Sequence, residues 1–168
     1  MAKSLLRTNN EITEIYNRHV KTVYRVCYTY LKNSADTEDV VSDTFIKMIK
    51  IAPPFDSEEH EKAWLIRTAS NGCKDFLKHW SRKNKDIADY SDTLKTESES
   101  AFEFDSLLEA VCDLPDKYKT VIHLYYYEGY TSVQIAEILR KPKSTIRNYL
   151  HEARTILRNK LGGDFDEK

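Results

Sequence analysis

Residues 131–161 read TSVQIAEILRKPKSTIRNYLHEARTILRNKL, and their punctuation sets the architecture of the last third of the chain. Thr131, with Gln134 three residues on, forms a capping box ahead of an apolar run. The run 132–139 is a short helix. Residues 140–143, centred on Pro142, break it. A longer helix follows over 144–161. Short helix, tight break and longer helix are the sequence outline of a helix-turn-helix. In the second helix Ile146, Leu150, Ala153 and Leu157 fall at i, i+4, i+7 and i+11, one buried stripe. Ile135, Ala136 and Leu139 supply the facing stripe. The opposite side then exposes Ser144, Arg147, Asn148, His151, Arg154 and Arg158. Residues 140–160 carry seven basic side chains and one acid, Glu152. Arg reads guanine edges and Asn adenine edges in the major groove, while cations set register on phosphates. An ordinary solvated basic helix is the plainer alternative.

Working backwards, 106–113 and 115–128 read as two further helices. Pro115 stands at a favoured first position and Gly129 at a stop. Towards the N-terminus, Ile12, Ile15, Tyr16, Val20, Val23, Cys27, Tyr30 and Leu31 recur at spacings of three and four, which predicts a helix over 11–32. Asn33-Ser34 breaks it and caps a second helix over 36–50, whose apolar positions are Val40, Val41, Phe45, Met48 and Ile49. Pro53-Pro54 ends that one. A loop to His60 leads into a third helix over 60–82, with Leu65, Ala69, Cys73, Phe76 and Trp80 on its apolar side.

Composition agrees with an all-helical chain. Only 4 Gly and 4 Pro occur in 168 residues, too few for a turn-rich β fold. Hydrophobic residues make up 40% and charged residues 32%, enough apolar material for modest cores. Mean hydropathy is -0.62, and no window approaches the roughly 20 apolar residues of a membrane span. The start turns polar at once, which speaks against a secretory signal. Three scattered cysteines, Cys27, Cys73 and Cys112, fit neither a disulfide framework nor a zinc ribbon, and suit a reducing cytoplasm.

Charge is distributed in three blocks. Residues 1–84 carry net +3, residues 85–105 net -5 and residues 106–168 net +1. The middle block is rich in Ser, Thr and acids and has no helical period. It reads as a flexible acidic linker, because structureless loops of that length are uncommon inside compact domains. The expected organisation is therefore two small helical domains, 9–84 and 106–163, joined by 85–105.

Two more constellations stand out in the first domain. Arg67, Asn71, Lys74, Lys78 and Arg82 form one polar stripe along the third helix, with Phe55, Trp64, Phe76 and Trp80 nearby. Cations interleaved with stacking surfaces suit single-stranded nucleic acid, and equally a solvated face over buried aromatics. The second helix opens on Asp36, Glu38 and Asp39, with Asp43 and Phe45 one to two turns on. These acids match the helix dipole, and they also suit a basic protein partner. No phosphate-binding loop, catalytic set or metal spacing occurs, and the five His are scattered. Neither catalytic residues nor a metal or cofactor are therefore expected.

In order along the chain, these pieces resemble a known family. Asp36-Thr37-Glu38-Asp39-Val40-Val41-Ser42-Asp43-Thr44-Phe45 resembles region 2.2 of bacterial sigma-70 family sigma factors, in the small extracytoplasmic-function group. Ala63-Trp64-Leu65-Ile66-Arg67-Thr68-Ala69-Ser70-Asn71, with Asp75-Phe76-Leu77, resembles the helix that reads the -10 element. Leu114-Pro115-Asp116-Lys117, Tyr127-Glu128-Gly129-Tyr130-Thr131, Ile135-Ala136-Glu137-Ile138-Leu139 and Ser144-Thr145-Ile146-Arg147 resemble region 4, which reads the -35 element. The chain departs from the pattern at Ser42, where Gln is usual, at Glu152, where a base is usual, and at 140–143, where the turn usually begins with Gly.

The resemblance implies core RNA polymerase and promoter DNA as partners, with an anti-sigma factor as a further one. It implies polymerase contacts at Asp36, Glu38, Asp39, Asp43 and Phe45. Contacts to the single-stranded -10 element would come from Arg67, Asn71, Lys74, Lys78 and Arg82. Contacts to the duplex -35 element would come from Lys143, Ser144, Thr145, Arg147, Asn148, His151 and Arg154. The linker reaches at most ~70 Å, about two duplex turns of ~34 Å each. Three rivals stay open. A stand-alone helix-turn-helix regulator would bind duplex DNA as a dimer. An interaction module would sequester another factor. An enzyme would have to pair Cys73 with His79, six positions apart and so on different helix faces.

Overall fold

A computed structural model describes residues 7–83 and 106–162. The chain divides into two compact units, at Ser100–Ala101. The proposed linker, 85–105, lies outside the described residues. All regular structure among the described residues is helical.

The first unit holds α1 (Asn9–Leu31), α2 (Ser34–Ile51) and α3 (Glu58–Lys83), each packed on the other two. The helix starts are fixed by side chains. Thr8 and Glu11 close a capping box, with Glu11 N–H donating to Thr8 Oγ1 at 3.1 Å and Thr8 N–H to Glu11 Oε1 at 3.0 Å. Asn33 caps α2 by accepting from Asp36 N–H at 2.9 Å. Between the two helices Lys32 turns left-handed at φ 64 and ends α1. The core is the apolar stripe of each helix: Val23, Val26 and Cys27 from α1, Met48 from α2, and Leu65, Ile66, Ala69 and Cys73 from α3 are all fully buried. Gly72 lets α2 and α3 approach, since a Cβ there would lie 3.3 Å from Val40 Cγ1. Ile49, expected on the buried side of α2, is 40% exposed and falls at the edge of the packed stripe.

One buried polar cluster ties α1 to α3. Arg18 donates Nε and Nη2 to Glu61 Oε1 at 3.2 and 3.1 Å, and Nη2 also to Oε2 at 3.1 Å. His19 Nε2 lies 2.9 Å from the same Oε1, on a ring only 3% exposed. Burying a carboxylate is costly, and these donors satisfy it.

The second unit holds α4 (Ser106–Cys112), α5 (Asp116–Ile122), α6 (Ser132–Leu139) and α7 (Lys143–Leu161). The sequence predicts one uninterrupted helix over 115–128. Instead α5 widens into a π-helical turn at His123–Tyr127. Glu128 N–H returns to His123 O at 3.3 Å, five residues back. The wider turn brings His123 Nε2 within 3.1 Å of Glu128 Oε2. In a regular α-helix side chains five apart diverge by about 140°. The buried His123 thus gains a carboxylate partner that an α-helical path would deny it.

The capping box before α6 forms as its residues predict, with Gln134 N–H to Thr131 Oγ1 at 3.2 Å and Thr131 N–H to Gln134 Oε1 at 2.9 Å. Arg140 ends α6 in the left-handed region at φ 60. The turn that usually begins with Gly is thus made here by a residue with a side chain. Ile146, Leu150, Ala153 and Leu157 of α7 are buried against Ile135 and Ala136 of α6 and the apolar side of α4 and α5. The free cysteines are all buried: Cys27, Cys73 and Cys112.

Candidate nucleic-acid and polymerase interface

With its apolar stripe turned inward, α7 presents Lys143, Ser144, Arg147, Asn148 and His151 to solvent, and Thr145 is half-exposed. Its first turn follows Pro142, which has no N–H to donate, and Thr145 N–H bonds back to Pro142 O at 3.1 Å. Arg154 is different from the other cations. Its Nε donates to Tyr126 Oη at 3.1 Å, and its guanidinium carbon lies 4.9 Å from the Tyr125 ring centroid. Burial works against its charge, but the phenol oxygens of Tyr126 and Tyr125 outweigh it and raise the pKa. A fixed, half-buried guanidinium offers fewer free donors but a defined direction. Tyr125 and Tyr126 thus support Arg154, while Tyr127 stacks on the His123 ring with centroids 5.4 Å apart.

Glu152 also has a local reason. Its carboxylate accepts a short hydrogen bond from Tyr118 Oη on α5. That bond, followed by burial and the Glu152 charge, raises the Tyr118 pKa. Tyr149 packs edge-on to Tyr118 at 5.5 Å, and Lys117 Nζ lies 5.1 Å from the Tyr118 ring centroid. Glu152 is therefore an inter-helix tie in place of the base usual at that position.

On the first unit, Asn71, Lys74 and Lys78 are exposed along α3 and Arg67 is half-exposed. The side chain of Arg82 lies outside the described residues. At the head of α3 Phe55, His60 and Trp64 cluster, with Phe55 centroid distances of 5.2 Å to His60 and 6.1 Å to Trp64. Phe76 and Trp80 are half-buried further along. The aromatics thus fall into a cluster beside the loop and a pair along the helix.

On α2, Glu38, Asp39 and Asp43 are exposed. Asp36 is half-buried, and its Oδ2 accepts from Asn33 Nδ2 at 2.9 Å, so part of its role is capping. Phe45 does not belong to this surface. It is 6% exposed and packs edge-on to Tyr16 at 4.9 Å, because positions 41, 45 and 48 share the buried stripe. The apolar residue on the acidic face is its neighbour Ile46, 45% exposed, seven positions after Asp39 and three after Asp43. Ile46 was legible only by assigning the helix phase to the residue. With Asp43, Thr68, Gly72 and Phe76 it lines a groove of about 510 Å³ between α2 and α3.

The paired Cys73 and His79 of the enzyme alternative do not meet. Cys73 is fully buried, its Sγ 4.0 Å from Cys27 O, while His79 is exposed. Among the described residues no group of three or more His, Cys, Asp or Glu is placed to hold a metal. No described helix is long and apolar enough to cross a membrane.

Comparison with known proteins places both units. Residues 15–83 match Sigma-70 region 2, and residues 104–157 match Sigma-70 region 4. The ECF RNA polymerase sigma-E factor of Haemophilus influenzae is 31% identical over 141 residues, covering 75% of each chain. This chain belongs to the sigma-70 family, in its extracytoplasmic-function group. The ECF RNA polymerase sigma factor SigW of Bacillus subtilis is 27% identical over 90% of this sigma factor and 87% of that protein. Sigma factor SigV of the same organism is 29% identical over 85% and 86%. Among solved structures, the sigma factor RpoE in complex with the anti-sigma factor NepR from Bartonella quintana shares the fold. It has a TM-score of 0.68 and 19% identity, over 92% of this chain and 98% of that one. The sigma factor thus serves promoter recognition and transcription initiation, with core RNA polymerase and promoter DNA as its partners, and the stand-alone regulator is set aside.

Proposed function

We propose that the two units divide the promoter between them, and that the protein acts in the cytoplasm by binding alone, without chemistry of its own. The α7 face of Lys143, Ser144, Thr145, Arg147, Asn148, His151 and Arg154 enters the major groove of the -35 element. Arg147 and Asn148 read base edges, and Lys143 and the tyrosine-braced Arg154 hold phosphates. The α3 stripe of Arg67, Asn71, Lys74, Lys78 and Arg82 follows the unpaired non-template strand of the -10 element. The loop 53–60 receives an extruded base, which offsets the few kcal/mol of unstacking. The acidic α2 face of Asp36, Glu38, Asp39 and Asp43, with the exposed Ile46 one turn beyond Asp43, docks on core polymerase. The domains run 9–84 and 106–163. The linker 85–105 spans the interval and, being anionic, avoids DNA. An anti-sigma factor is a further partner.

The observation that carries this reading is the one-sided chemistry of α7: an apolar stripe fully committed to the core and a cationic, hydrogen-bonding face left outside. Run-off transcription with purified core polymerase tests it. The full chain is expected to start transcripts from defined promoters, and no transcript above core polymerase alone would refute it. Arg147→Ala is expected to lose about 1–3 kcal/mol at one or two -35 base pairs. A uniform loss over all sequences would make Arg147 a phosphate contact.

A further inference from the structure

Arg7 precedes α1, yet its guanidinium reaches the far end of α2. Nη1 donates to the carbonyls of Met48 and Ala52, each at 3.3 Å, and Nη2 makes a short hydrogen bond to the carbonyl of Pro53. The guanidinium carbon also lies 4.7 Å from the centroid of the Phe55 ring. Pro53 and Pro54 carry no N–H, so a continued helix would leave the carbonyls of Ile49 and Lys50 without donors, and α2 stops there. Ala52 N–H returns to Met48 O at 3.3 Å, and the chain then runs on without regular structure to the start of α3. A cation suits the negative end of the α2 dipole. Only a planar fork serves several carbonyls and one ring face together.

The other side of the same loop is also fastened. Phe55 meets His60 and Trp64, and Asp56 N–H donates to His60 Nδ1 at 3.1 Å. His60 N–H in turn donates to Ser57 Oγ at 3.1 Å. The loop is therefore clamped between Arg7 and the head of α3. It borders a cavity of about 400 Å³ lined by Arg7, Glu11, Glu14, Ile15, Pro54 and Phe55 among others.

We infer that Arg7 is a positioning residue for capture of the unpaired strand: it holds residues 52–55 in the shape that receives a base and is not itself a DNA-reading residue. This rests on the assignment of α3 and the loop before it to the single-stranded -10 element. A loop that must find its shape on binding loses affinity by the fraction of time it is correctly formed, so the effect falls on the single strand alone.

The test uses the full chain bound to core polymerase, with Arg7→Ala and Arg7→Lys measured beside the unsubstituted protein. Arg7→Lys keeps the charge at the end of α2 and serves as the folded reference. The probes are a single-stranded oligonucleotide carrying the non-template -10 element and a duplex carrying only the -35 element. Arg7→Ala is expected to weaken oligonucleotide binding about tenfold and Arg7→Lys at least threefold. Core polymerase association and -35 binding are expected to stay within twofold. Unchanged oligonucleotide affinity in both variants overturns the inference, and so does an equal loss on both probes. Asn71→Ala and Lys74→Ala serve as separate controls. If they leave oligonucleotide binding intact, the assignment of α3 has failed, independently of the outcome at Arg7.

Discussion

Arg140 carries the sharpest residue-scale consequence. It makes the turn of the helix-turn-helix at φ 60, ψ 47, where a side chain costs about 1 kcal/mol relative to Gly. Arg140→Gly is therefore expected to raise the unfolding free energy of the second unit by about 0.5–1 kcal/mol in urea denaturation. Retaining Arg at that cost suggests a use for its charge, and the same variant is expected to weaken non-specific DNA binding and lessen its salt dependence. The sequence displayed the break at 140–143 but not its shape, because Pro142 announces a stop while only the backbone reveals a left-handed residue. At Phe45 the periodicity placed the ring correctly on the apolar stripe, and what misled was grouping it with the exposed acids as a docking residue. Phe45 and Ile46 are adjacent and both apolar, and only the phase of α2, read to within one position, sets Ile46 outside.

At the scale of elements, the helices themselves were legible because the longer ones carry an apolar stripe, and α1, α2 and α6 open on a side-chain cap while α5 and α7 open after a proline. Thr131–Gln134 and Asn33 act as their residue types predict. The π-helical turn was not legible, since the pairing of His123 with Glu128 has no signature in a pattern of threes and fours. Nor was the tie between α1 and α3, which joins residues 42 and 43 positions apart. Removing the carboxylate there leaves a guanidinium and a buried imidazole facing one another. Glu61→Ala is expected to destabilise the first unit by about 3 kcal/mol, read as a lowered midpoint in thermal or urea unfolding. The Tyr118–Glu152 tie between α5 and α7 makes a prediction in pH. Folding raises the Tyr118 pKa above its ordinary value of 10.0, so the stabilisation is complete below pH 10. It is lost as pH climbs through the raised value. The difference in melting temperature between the unsubstituted chain and Tyr118→Phe is expected to shrink over that range, and a constant difference would deny the tie its proposed role.

At the scale of the whole molecule, the two-part layout was legible from charge and composition, and the family from the order of its motifs. Arg7 shows what such reading leaves out: a single cation before the first helix acts on a loop more than forty residues away, and no local pattern marks it. The docking face proposed on α2 and the DNA-contact faces proposed on α3 and α7 use different residues, so they are expected to separate by mutation. Asp39→Lys, at an exposed position in the first turns of α2, is expected to abolish co-elution with core polymerase while circular dichroism and melting temperature stay unchanged. The burial of Cys27, Cys73 and Cys112 gives experimenters a practical opening. Maleimide dyes attack accessible thiolates. One cysteine engineered onto each unit would therefore be labelled ahead of the native three, and energy transfer between the dyes would follow the two halves as they settle onto a promoter.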